Sequence, residues 1–108
     1  MYGNSITINA HYGTDGKRVL PCGQTRLLKE IAKEIQADIA DKSWYIYAKD
    51  YVEALAQLET ITDEYYADSA ASVVSYLLAN LTSWRGEKAR AIKAELNAIK
   101  NAYYKEKQ

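Results

Sequence analysis

The chain has 108 residues, 14 basic and 14 acidic side chains, and a formal charge of zero. That length predicts one domain with room for a core that needs no disulfide or metal, and the single Cys22 excludes an internal disulfide. The zero net charge argues against a dedicated nucleic-acid binder, which normally carries an excess of base.

The large aromatic side chains are ten tyrosines and two tryptophans, with no phenylalanine. Each combines a stiff apolar face with a polar handle, which suits a surface that is soluble alone and adhesive when engaged. The charges are segregated. Residues 1–37 carry five bases and three acids, residues 38–68 two bases and eight acids, and residues 84–108 seven bases and three acids. The net values are therefore +2, −6 and +4. Such an acidic middle and basic end are open to compensation within the fold, between copies, or with a partner, and a plain solvated surface is the simplest reading.

In chain order, residues 5–12 alternate Ile6, Ile8, Ala10 and Tyr12 with polar neighbours, the pattern of a half-buried strand. Asp15-Gly16 predicts a hairpin turn, with a returning strand over residues 17–20 that stops at Pro21. Residues 21–23 read as a turn and Thr25 as a helix cap. Leu27, Leu28, Ile31, Ile35 and Ile39 then form an apolar stripe at helical spacing. Residues 44–48, rich in Trp and Tyr, read as a third strand or as the start of a helix. Asp50 and Glu53 resemble a capping box, and Tyr51, Leu55, Leu58 and Ile61 support a helix from there. Residues 62–68 read as a helix end or an acidic connector. Ala70, Val73, Val74, Leu77, Leu78 and Leu81 predict the most apolar helix. Ala89, Ile92, Leu96, Ile99 and Tyr103 predict a last helix over residues 84–105. The expected fold is a single α+β domain, with an N-terminal β-hairpin, alone or with a third strand over residues 44–48, packed on three or four helices.

No constellation in the chain carries catalysis or binds a cofactor or metal, and a non-enzymatic protein is expected. Cys22 before a helix, with His11 on the strand behind it, outlines a thiolate–imidazole pair, but an inert packing thiol is the better account of the cysteine. Glu59, Asp63, Glu64 and Asp68 supply too few oxygens, and no glycine-shaped loop, for a hard cation. They read better as a solvated turn or as an acidic patch that receives a basic partner. Residues 13–17 lack the spacing and context of a phosphate loop. In the pairs Tyr65-Tyr66 and Tyr103-Tyr104 one ring must lean away from the core, and Tyr66 and Tyr104 are the expected exposed members. With Glu64 and Asp68 they form the predicted partner-binding set. Arg90, Lys93, Asn97, Lys100 and Asn101 form a polar stripe on the last helix, which makes the first four the candidates for touching nucleic acid. That helix also has the spacing to pair with a second copy.

The N-terminus Met-Tyr-Gly-Asn-Ser-Ile-Thr-Ile has no basic start or apolar run, and no segment is long and apolar enough to span a membrane, so a cytoplasmic address is expected. Residues 72–90, a Tyr-Leu-Leu helix running through Ser83-Trp84-Arg85-Gly86-Glu87 into a basic, alanine-rich helix, resemble the C-terminal parts of small phage and prophage proteins. That setting includes anti-CRISPR and other anti-defence inhibitors. The resemblance implies stoichiometric binding to a host protein or nucleoprotein complex, and implies no functional residue.

Overall fold

The computed structural model describes residues 20–106. Four helices, α1 (Leu28–Ile39), α2 (Tyr45–Leu55), α3 (Ala70–Ala79) and α4 (Glu87–Glu106), carry a two-stranded antiparallel hairpin, β1 (Glu64–Tyr65) with β2 (Asp68–Ser69), between α2 and α3. The mixed helix-and-hairpin character expected from the sequence is present, with the hairpin in the middle of the chain. The hairpin predicted over residues 5–20 and the side chain of His11 lie outside the described residues.

The apolar stripe of α1 buries Leu28, Ile31, Ile35 and Ile39 completely. Thr25 does not cap this helix; Leu27 occupies the cap position with no side-chain hydrogen bond. Instead the Leu28 N–H donates to the Glu59 carbonyl at 2.9 Å, so a loop distant in sequence satisfies one of the first-turn donors.

The third strand is not formed. Residues 45–48 begin α2, because Ala48, Val52 and Leu55, spaced four and three apart, bury one face against α1 and α3. Tertiary burial overrides the strand preference of Tyr45, Ile46 and Tyr47. As a result Ile46 and Tyr47 stand 71% exposed. The Asp50–Glu53 capping box is not used, since both residues lie inside α2.

Residues 62–68 are not a helix end but the acidic connector between α2 and α3, and it is folded as a hairpin. They form the entry and tip of the hairpin, and Ser69 then caps α3 by accepting from the Ser72 N–H at 3.1 Å. α3 buries Ala70, Ala71, Val73, Val74 and Leu77, and packs on α2, α4 and the hairpin. α4 starts at Glu87, three residues later than its pattern suggests, and buries Ala89, Ile92, Leu96 and Ile99. Trp84 lies before the helix, buried in a turn, and its indole N–H donates to the Asp38 carboxylate at 2.6 Å.

Two polar side chains tie the segment before α1 to the rest. Gln24 is 6% exposed and fully paired: its amide donates to the Arg26 carbonyl at 3.0 Å and the Glu59 carbonyl at 2.6 Å, and accepts from the Ile61 N–H at 3.1 Å. Arg26 grips Glu95 of α4 through Nε at 3.1 Å and Nη2 at 2.8 Å, and bonds Glu34 of α1 through Nη1. Chiefly through its hydrogen bond to Glu95, Arg26 is held more firmly protonated than usual, and its bond lowers the Glu34 pKa. The Glu34 contribution is present above the ordinary glutamate range and is lost as pH falls through its depressed value.

Gln24→Leu keeps a similar side-chain volume but orphans the buried Ile61 N–H, whose acceptor is the Gln24 Oε1, while the Glu59 carbonyl retains the Leu28 bond. The expected loss is about 1–3 kcal/mol, read as a lower urea midpoint with an unchanged slope. An unchanged midpoint would show that the amide does not hold this loop.

Candidate binding site at the hairpin tip

The hairpin stands on a loop in which Asp63 uses its carboxylate fully. Oδ2 accepts from the Glu59 N–H at 2.9 Å and the Thr60 N–H at 3.0 Å, and Oδ1 accepts from the Thr60 hydroxyl at 3.1 Å. The Asp63 carbonyl then accepts from the Ala70 N–H at 2.9 Å, which closes the base of the ribbon. Glu59 pairs with Lys29 of α1 at 3.0 Å. These two acids therefore serve the fold, and only Glu64 and Asp68 of the four are left for an acidic patch. Among the described residues, no group of three or more histidine, cysteine, aspartate and glutamate side chains could hold a metal.

Above that base the register pairs Glu64 with Ser69 and Tyr65 with Asp68, leaving Tyr66-Ala67 as a two-residue tip. Tyr66 has φ of +56°. Glycine is the usual residue where such a turn needs positive φ, and a side chain there costs about 1–2 kcal/mol. The ring is 89% exposed and meets Tyr65 edge-on, with ring centres 4.7 Å apart. Glu64 and Asp68 are exposed, and neither carboxylate bonds to any described residue. Directly opposed residues share a face of the ribbon, so Asp68 lies on the Tyr65 face and Glu64 on the other. The tip thus offers an aromatic ring with one unpaired carboxylate on each side.

Tyr104 is 43% exposed and packs edge-on against Tyr103 near the end of α4. No hydrogen bond, ion pair or ring contact among the described residues joins it to the hairpin, so the four predicted partner-binding residues divide into a tip of three and a separate tyrosine. A further aromatic surface escaped the sequence reading: Tyr51 of α2 stacks on Tyr76 of α3 with centres 5.7 Å apart, near exposed Tyr47. Its signal was the helical spacing of Tyr47 and Tyr51, visible only once residues 45–48 are placed in a helix.

The basic stripe of α4 is unevenly available. Arg90 and Asn101 are exposed, and Lys93, Asn97 and Lys100 are half-buried. Lys93 donates to the Trp84 carbonyl at 2.7 Å, and Asn97 donates to the Lys93 carbonyl at 3.0 Å. Burial, and secondarily the charge of Arg85, pushes the Lys93 pKa down. Lys93 therefore fastens the turn that leads into α4.

Cys22 and Gly23, at φ of +58° and +71°, form the centre of a tight turn closed by the Gln24 N–H on the Pro21 carbonyl at 2.9 Å. The thiol lies beside Glu106 at the end of α4. Burial first, then the Glu106 charge and hydrogen bond, push its pKa up. A nucleophilic thiolate needs the opposite surroundings.

The chain matches no protein-family model, no curated protein and no solved structure. No helix among the described residues is long and apolar enough to cross a membrane.

The raised thiol pKa predicts slow alkylation of Cys22 by iodoacetamide at neutral pH, several-fold below a free cysteine peptide. Glu106→Gln is expected to speed it. The thiol's contribution to stability is complete below the ordinary thiol range and is lost as pH rises through the raised value. Rapid alkylation of the folded protein at pH 7 would contradict this placement.

Proposed function

We propose that this protein acts by stoichiometric, non-enzymatic binding to another protein, with the hairpin tip as its anchor. The observation that carries the reading is Tyr66, a bulky aromatic side chain held almost wholly in solvent on a backbone conformation that favours glycine. Strain of this kind persists where the surrounding structure enforces it, and it concentrates at binding sites. Tyrosine at a projecting point also suits an interface anchor, since it inserts a large rigid surface and keeps a hydroxyl for a hydrogen bond. The unpaired Glu64 and Asp68 add charge selectivity.

The resemblance of residues 72–90 to small phage proteins supports a more specific form, an anti-defence inhibitor that occupies a host protein or nucleoprotein complex. Tyr104 belongs to a second, separate contact in this reading.

The test is purification of the tagged protein from its host with nuclease added, followed by mass spectrometry of what remains bound. A protein retained in stoichiometric amount by the wild type, and at least tenfold less by Tyr66→Ala, is the expected result. Tyr66→Gly separates function from folding: it relieves the backbone and raises stability by about 1 kcal/mol, yet loses the partner. If Tyr66→Gly bound as well as the wild type, the tip would not be the anchor. Nucleic acid retained before nuclease treatment, with no protein left afterwards, would favour Arg90 and Lys100 of α4 instead.

A further inference from the structure

The net charge is zero, yet the ion pairs do not join the two oppositely charged segments. Among the described residues the pairs are Arg26 with Glu34 and Glu95, Lys29 with Glu59, and Lys49 with Glu53. None connects an acid of residues 38–68 to a base of residues 84–108. Compensation by ion pairing within the chain, one of the three routes open from the sequence, is not seen there.

Exposed charges of opposite sign, without an ion-pair partner among the described residues, stand at the two ends of α3. The acidic tip enters that helix directly, since Ser69 is both the end of β2 and the cap of α3. At the other end, two successive tight turns keep the chain close to the helix, with the Leu81 N–H on the Leu78 carbonyl at 3.2 Å and the Trp84 N–H on the Leu81 carbonyl at 3.0 Å. Buried Trp84 fixes that point, and Arg85, Lys88 and Arg90 follow, all exposed and without an ion-pair partner among the described residues. Glu87 is the one acid between them in sequence, the Asp38 carboxylate lies against Trp84, and Lys88 is near enough to Glu34 to help lower its pKa, which leaves Arg85 and Arg90 as the bases with no such neighbour named. The ten residues of α3 separate the two poles by about 15 Å. Each pole has the sign that the α3 dipole favours, negative at the N-terminal end and positive at the C-terminal end.

We propose that a second copy of this chain occupies the tip. Two copies lie antiparallel, and Tyr66, Glu64 and Asp68 of each seat against Arg85, Lys88 and Arg90 of the other. Both complementary surfaces belong to this chain, and the zero net charge removes the long-range repulsion that keeps like molecules apart. A guanidinium can lie on the Tyr66 ring while its neighbours meet the carboxylates. The antiparallel arrangement satisfies both contacts and closes on itself, as two-fold dimers do. The inference goes beyond partner binding: the dimer covers the tip, so self-association and partner capture compete.

Sedimentation equilibrium of the purified full chain tests it, at about 0.02 M and about 0.5 M salt, where screening lengths differ several-fold. The expected result is a dimer at low salt whose Kd rises at least tenfold at high salt. The variants Glu64→Lys/Asp68→Lys and Arg85→Glu/Lys88→Glu, each confirmed as folded by circular dichroism, are expected to be monomers. Mixed in equal amounts they restore a dimer, because each tip then faces an opposite charge. A monomer at every concentration at low salt overturns the proposal. So does a dimer that ignores salt, a charge swap that leaves it intact, or folded variants that fail to pair on mixing. Since no partner is involved, any of these leaves the partner-binding reading as it was.

Discussion

The buried amide of Gln24 is the constraint from which the useful surface follows. One side chain, 6% exposed, bridges the segment before α1 to the Glu59 carbonyl and the Ile61 N–H. That bridge fixes the loop on which the hairpin stands, and Asp63 completes it by gathering the Glu59 and Thr60 donors. A buried amide with all these bonds made rigidifies its surroundings, whereas a partly satisfied one would weaken them. The hairpin itself has only two residues per strand, too few to hold a strained tip unaided. The strain at Tyr66 is therefore sustained from below, by a contact between Ile61 and Gln24, which are 37 residues apart in sequence.

The same economy runs through the charged residues. Acids and bases near the core are spent on the fold: Asp63 in its turn, Arg26 between Glu34 and Glu95, Asp38 on Trp84, Lys93 on the turn before α4. The exposed charges at the two ends of α3 are not. Separating structural charges from available ones leaves an acidic, aromatic tip and a basic shoulder as the surfaces free to meet another molecule. Binding to a foreign protein and binding to a second copy are then two uses of one feature.

The helical stripes of α1, α3 and α4 were legible in the sequence because burial on one face writes a period of three and four into the apolar positions. Exposed Tyr66 was legible too, from the geometry of adjacent rings. The hairpin at residues 64–69 was not, since Glu-Tyr-Tyr-Ala-Asp-Ser contains no glycine or asparagine at the turn, and the expected turn signal is replaced by strain. Residues 45–48 read either way, as strand or as helix start, because their strand-forming side chains are decided by Ala48 and Val52, which only the neighbouring helices can select. Lys93 looked like part of a solvated stripe, because its acceptor is a backbone carbonyl nine positions back, and carbonyls leave no trace in a sequence. Gln24 gave no sign of its role for the same reason.

The hairpin tip is held in place from its base and not merely exposed. Backbone 15N relaxation across residues 59–70 tests it directly, in the wild type and in Gln24→Leu. Order parameters at the tip are expected to be close to those of the helices, about 0.85, and to fall in the variant while α3 and α4 stay unchanged. A wild-type tip with values below about 0.6 would contradict it, since a mobile Tyr66 could be neither strained nor preorganised.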